Sequence, residues 1–135
     1  MSEKVLYISE HDRRRIRELL AAVDPADRAG GRDLDVELRL GKVVLPAEMP
    51  ADVVTMNSRV RLTDLDSGAE LVYTLVFPAD ADFKAGKISV LAPIGTALLG
   101  ERVGAEIQWE VPAGLRRLRI EELLYQPEAA GDYHL

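Results

Sequence analysis

Apolar positions along this chain recur with two different periods. Ile16, Leu19, Leu20 and Val23 fall at the spacing of one helical face, with Arg13, Arg14, Arg15 and Arg17 on or beside the other. Ser9 followed three residues later by Asp12 is a weak capping box at the start of that helix. Asp24-Pro25 ends it, because proline disfavours helical geometry in the preceding residue. Gly30-Gly31 lies in a turn spanning residues 26–32. The next segment carries both signals. Leu34, Val36, Leu38 and Leu40 alternate with polar residues as in a strand, whereas Leu34, Leu38 and Leu45 with Gly41 suit a helix. Alternation slightly favours the strand, and the two alternatives stay open on the residues alone.

Residues 46–50, bounded by Pro46 and Pro50, have the composition of a linker, and beyond them the period becomes two. Arg59 to Thr63 alternates into the turn cluster Asp66-Ser67-Gly68, and Leu71 to Phe77 is a β-branched and aromatic run stopped by Pro78. These two predict a hairpin. Residues 79–86 predict a loop and Lys87 to Leu91 a third strand. Pro93 opens a short helix that Gly100 ends. Glu106 to Val111 alternates cleanly, Pro112-Ala113-Gly114 turns the chain, and Leu115 to Tyr125 is the last strand. Its alternation slips at Glu121-Glu122, which predicts a bulge there. Residues 126–135 have no periodicity and read as a tail. The expected class is α+β: a helix-containing N-terminal region over residues 1–49, then an antiparallel sheet with one short helix over residues 50–135.

At 135 residues the chain can bury a core without staples. It has no cysteine, which favours a reducing compartment, and it has neither a signal-peptide pattern nor an apolar run long enough for a membrane span. A cytoplasmic location is expected. The net charge of -6 is unevenly spread. Residues 1–49 hold ten acidic and nine basic side chains; residues 50–135 hold thirteen and eight. An acidic domain repels phosphate backbones, so direct nucleic-acid binding is disfavoured.

Candidate chemistry is sparse. The two histidines, His11 and His134, stand at opposite ends of the chain with no neighbour at metal-ligand spacing, and both are expected to be solvated. Gly95 to Gly100 has the glycine spacing of a phosphate-binding loop, but Glu101-Arg102 follows where a lysine and a hydroxyl are needed. Those glycines are better explained as helix ends and tight turns. Asp24, Asp27, Asp33 and Asp35 cluster around the first turn; such carboxylates can bind Mg²⁺, and they also simply solvate turns. Tyr73, Phe77, Trp109 and Tyr125 lie on predicted strands, where core packing is the default.

The C-terminal pattern is more specific. Ile88-Ser89, Pro93-Ile94-Gly95, Ala97-Leu98-Leu99-Gly100, Val103-Gly104, the strand through Trp109, then Pro112 and Gly114, with Tyr73 to Val76 upstream, resemble the C-terminal domain of the Gre transcript cleavage factors. Residues 50–60 and 125–133 look like the regulators of nucleoside diphosphate kinase, a family that extends the match over almost the whole chain. The resemblance implies an FKBP-like C-terminal domain over residues 50–135 and a short antiparallel helical hairpin, a coiled coil, over residues 1–49. On that basis residues 34–40 become the second helix.

Gre factors dock at the rim of the RNA polymerase secondary channel through a motif that commonly reads Asp-Ser-Pro. The matching positions here are Leu91, Ala92 and Pro93. The resemblance therefore implies RNA polymerase as partner, with proline retained and the polar pair replaced by apolar residues. In Gre factors acidic residues at the tip of a long coiled coil hold Mg²⁺ for transcript cleavage; here Asp24, Asp27 and Asp33 stand at the corresponding turn. A first helix of roughly 15 residues reaches only about 22 Å. The expectation is therefore a monomeric polymerase-binding regulator that competes with Gre-type factors, is not an enzyme, needs no cofactor, and affects nucleoside diphosphate kinase indirectly. Two other functions find less support in the residues. Prolyl isomerisation would need an aromatic pocket that a chain with 5% aromatics supplies poorly, and fold does not confer function. Direct binding to the kinase, or to nucleotides, has no phosphate-binding loop behind it.

Overall fold

Ser9 opens α1 (Glu10–Ala22): its hydroxyl accepts the Asp12 N–H at 3.1 Å, and its carbonyl accepts the Arg13 N–H at 2.9 Å. The computed structural model describes residues 6–22, 38–112, 114–132 and 135. Asp12, Ile16 and Leu20, spaced four apart, are the buried stripe of α1. A second helical stretch, α2, is described over residues 38–40, with Leu38 buried in the core. This agrees with the helical alternative for that segment; residues 34–37 lie outside the described residues, as do Asp24, Asp27, Asp33 and Asp35. Two strands too short to carry a pattern, β1 (Tyr7–Ile8) and β2 (Lys42–Val43), flank the helices and pair in parallel.

The predicted hairpin forms β3 (Arg59–Asp64) and β4 (Glu70–Val76), antiparallel, with Val60 and Leu62 facing inward. The chain then folds through β5 (Lys87–Ser89), α3 (Pro93–Leu98), β6 (Glu106–Val111), β7 (Gly114–Tyr125) and α4 (Pro127–Ala130). The five-stranded sheet has the order β5-β4-β3-β7-β6. The expected bulge in the last strand is present. Register against β3 shifts between Arg61 and Leu62, whose partners are Glu122 and Ile120, so Glu121 is the extra residue. Inward-facing positions accordingly change from Leu118 and Ile120 to Leu123 and Tyr125.

Four expectations need correction. The sheet is mixed rather than antiparallel, because β5 runs parallel to β4. Residues 77–86, with 3-10 turns at Pro78–Asp80 and Phe83–Ala85, carry the chain back only to the level of Thr74, so β5 pairs with just the last three residues of β4. α3 is not the only short helix, since α4 follows β7. The segment read as a linker is a 3-10 turn at Pro46–Glu48 followed by buried Met49. Finally, residues 126–132 are not a tail: Gln126, Pro127 and Glu128 are buried. One apolar cluster joins Ile16, Leu20 and Leu38 of the N-terminal helices to Val60, Leu62, Leu75, Leu98, Leu118 and Ile120, so α1 is packed onto the same core as the sheet.

Candidate functional site: the strand-to-helix knuckle and the helix anchor

The three residues singled out in sequence, Leu91, Ala92 and Pro93, form a knuckle between β5 and α3. Ser89 organises it. Its hydroxyl accepts the Leu91 N–H at 3.1 Å and its carbonyl accepts the Ala92 N–H at 3.0 Å. Thr96, one turn into α3, donates its hydroxyl to the Val90 carbonyl at 2.6 Å, closing the knuckle from the helix side. Gly95 is required here: a Cβ would lie 1.9 Å from the Ser89 carbonyl oxygen. Pro93 occupies the first helical position, where its missing N–H costs nothing, and it is exposed. Leu91 is half-buried and packs against the core, and Ala92 is half-buried beside it. The apolar pair is therefore shared between knuckle and core, while Pro93 points to solvent.

A second constellation was not legible in the sequence. Asp12, 3% exposed, lies on the buried face of α1. Burial pushes its carboxyl up to about 6; the hydrogen bond and charge of Arg15 and the Met56 N–H oppose this, and the nearby Glu128 charge adds to it. The Arg15 guanidinium bonds Asp12, donates to the Leu135 carbonyl at 2.9 Å, and lies 4.5 Å from the centre of the Phe77 ring. Glu128 accepts the Thr55 hydroxyl at 2.7 Å, and the Ser58 hydroxyl lies 2.9 Å from that of Thr55. With Thr55 donating to Glu128, Ser58 donates to Thr55. Gln126 caps α4 by accepting the Ala129 N–H, and its amide donates to the carbonyls of Pro50 and Val53, both at 2.8 Å. This network fastens α1, residues 50–58 and α4 together. A signal for α4 did exist, with Pro127 at the first helical position and Gly131, φ 81°, just past the end.

Elsewhere, His11 is exposed on the first turn of α1, with its pKa lowered by burial and by Arg15 and Arg14. His134 lies outside the described residues. The glycines at 95 and 100 serve α3, Gly100 adopting φ 79° after its end. Tyr73 and Phe77 pack against the core, and the Tyr125 hydroxyl donates to Asp132 at 2.5 Å. Among the described residues, no group of three or more His, Cys, Asp or Glu is placed to hold a metal ion, and no helix is long and apolar enough to cross a membrane.

Residues 49–125 match the family described as "Transcription elongation factor, GreA/GreB, C-term". The chain is 46% identical to "Regulator of nucleoside diphosphate kinase" of Escherichia coli (strain K12), covering 100% of each chain. It is 33% identical over 94 residues to "Transcription elongation factor GreA" of Syntrophotalea carbinolica, covering 70% of this chain and 60% of that factor. A solved structure, "Prokaryotic transcription elongation factor GreA/GreB from Nitrosomonas europaea", superposes with a TM-score of 0.80 at 44% identity, covering 91% of this chain and 100% of the other. The knuckle with its obligatory Gly95, the sheet that carries it, and these matches together lead to one conclusion: the chain belongs to the GreA/GreB C-terminal family of Gre-like transcription regulators.

Proposed function

We propose that this chain is a cytoplasmic, monomeric regulator that docks on RNA polymerase at the secondary-channel rim and competes there with Gre-type cleavage factors without stimulating transcript cleavage. In this reading residues 1–49 are a short coiled-coil arm and residues 50–135 an FKBP-like docking domain. Leu91, Ala92 and Pro93 make the contact, and no cofactor takes part. Asp24, Asp27 and Asp33 stand at the arm's tip. Any effect on nucleoside diphosphate kinase, which the name of the Escherichia coli relative records, follows indirectly from altered transcription.

The length of α1 carries the argument. Its described part, Glu10–Ala22, has 13 residues and rises about 20 Å. Catalysis by a metal-binding carboxylate pair requires delivery to coordination distance of the reacting phosphate. A short arm formed by residues 1–49, held at its base by Asp12 and Arg15 against Met56, Phe77, Glu128 and Leu135, occupies an entrance and stops short of the chemistry. The knuckle supports the docking part. It is held by the Ser89 and Thr96 hydrogen bonds, so it presents Pro93 without an ordering cost on binding.

The test is co-purification with core polymerase, followed by displacement with a GreA factor and by a photoreactive group at Leu91. The expected result is capture, displacement, a crosslink to polymerase, and no acceleration of cleavage in a backtracked complex. Failure to capture polymerase removes the proposal. Cleavage that collapses in Asp24→Ala/Asp27→Ala removes its non-catalytic part.

A further inference from the structure

Strand β4 is paired on both sides over only part of its length. The ladder to β3 is pinned by Asp64 N–H to the Ala69 carbonyl at 2.8 Å and by Leu75 N–H to the Ser58 carbonyl at 2.9 Å. Antiparallel alternation between these points turns the backbone groups of Leu71 and Tyr73 toward β3. Those of Glu70, Val72 and Thr74 therefore face the other edge. Thr74 N–H is met there by the Gly86 carbonyl at 2.7 Å, and β5 continues the pairing. Beside Glu70 and Val72 the line of β5 is not continued, because the chain turns away through Phe83–Ala85. An open cleft of about 650 Å³ lies alongside these residues. Gly86, at φ 77°, lets the loop tuck against the edge; a Cβ there would stand 2.9 Å from the Val72 carbonyl oxygen.

The side chains around this edge are of two kinds. Val72 is 40% exposed, and Phe83 is 73% exposed, its ring centre 6.3 Å from that of Tyr73. Arg59, Lys84 and Lys87 also line the cleft, and no ion pair engages them among the described residues. Glu70, the acid on its wall, is bonded to Arg61 at 3.0 Å. On a chain of net charge -6 this is a locally cationic edge.

We propose that the Glu70–Val72 edge receives an extended acidic peptide segment of a partner protein, added as a strand in line with β5. The Val72 N–H and the backbone groups of Glu70 supply the hydrogen bonds, Gly86 already lying against the Val72 carbonyl. Alternate residues of the incoming strand meet Val72, Arg59 and Lys87 on one face of the sheet and Phe83, beside Tyr73, on the other. A second copy of this chain does not fit: edge-to-edge pairing would set Arg59, Lys84 and Lys87 against their own counterparts. The proposal uses none of the knuckle residues, so it stands or falls separately from polymerase docking.

Amide NMR of the full chain tests it with two acetylated six-residue probes, one alternating Thr and Glu, the other Thr and Lys. The Glu-containing probe is expected to shift the Glu70 and Val72 amides and slow their hydrogen exchange. Val72→Pro removes an edge donor that β4 does not use internally. The double variant Lys84→Glu/Lys87→Glu changes only exposed side chains. Each should weaken binding by about tenfold or more. The proposal is overturned if neither variant weakens binding, if the two probes bind alike, if the shifts map elsewhere, or if no binding occurs at millimolar probe. Self-association abolished by Val72→Pro would also overturn it, since the edge would then serve a second copy.

Discussion

Thr55 and Glu128, 73 residues apart in sequence, are joined by a buried hydrogen bond of 2.7 Å between a hydroxyl donor and a carboxylate acceptor. With Gln126 it ties the segment leading into β3 to the helix that follows β7. A hydrogen bond to a charged group is worth about 1.5–3 kcal/mol, and more is lost when the charged partner is left buried and unpaired. Thr55→Val is therefore expected to destabilise the fold by about that amount. In urea titrations Thr55→Val and Glu128→Gln should be non-additive, the double variant losing less than the sum of the singles. Strict additivity would show that the contact carries no energy.

Asp12 makes an acid-side prediction whose sign is opposite to that of an ordinary carboxylate. Its folded pKa, about 6, lies above the ordinary aspartate value of 3.8. As pH rises between those values the unfolded chain loses this proton before the folded one does, so the folded state binds more protons and stability falls. The contribution is complete below the unfolded pKa and gone once pH passes the folded one. The loss is on the order of 3 kcal/mol. Asp12→Asn should remove this slope. The difference in urea midpoint between parent and variant would then change across pH 3.8 to 6 and be flat above. A difference that is constant across the window would refute the raised pKa.

Gly95→Ala drives a methyl group to within 1.9 Å of the Ser89 carbonyl, and both atoms belong to the backbone framework of the knuckle. Overpacking of this kind costs about 1–3 kcal/mol, and the knuckle must open to relieve it. Thermal melts should show the loss, and hydrogen exchange should show the Ala92 amide losing protection. An unchanged melt would mean that α3 shifts freely away from β5.

Pro93→Glu tests the knuckle as a docking surface. The site is exposed and lies in the first turn of α3, where an acidic residue is favourable, so the melt should be unchanged. Capture of core polymerase is expected to fall by about tenfold, or roughly 1.4 kcal/mol. Undiminished capture would move the contact away from this segment.

The sheet was legible because its strands have one wet and one dry face. Val60 and Leu62 against Arg59 and Arg61, and Leu118 and Ile120 against Arg117 and Arg119, write a period of two into the chain. The slip at Glu121 marked the bulge for the same reason. Pro93 and Gly100 bounded α3 through backbone constraints that are local to those residues. α4 carries no periodic signal, although Gln126-Pro127 and Gly131 bracket it, because four residues are too few to develop a hydrophobic period.

The candidate site divides along the same line. Leu91, Ala92 and Pro93 could be named from a motif, because a strand-to-helix knuckle is built from consecutive residues. The parallel course of β5, the pairing of β1 with β2, and the meeting of Asp12, Arg15, Thr55, Gln126 and Glu128 left no trace in any window of the chain. Each depends on segments that are distant in sequence, from 13 residues between β4 and β5 to 120 between Arg15 and Leu135, coming into contact. A side chain's own neighbours settle its torsions and its face. Whether a carboxylate such as Asp12 is dry, and which cation stands beside it, is settled by packing of the whole chain, because burial and charge act through space and not along the sequence.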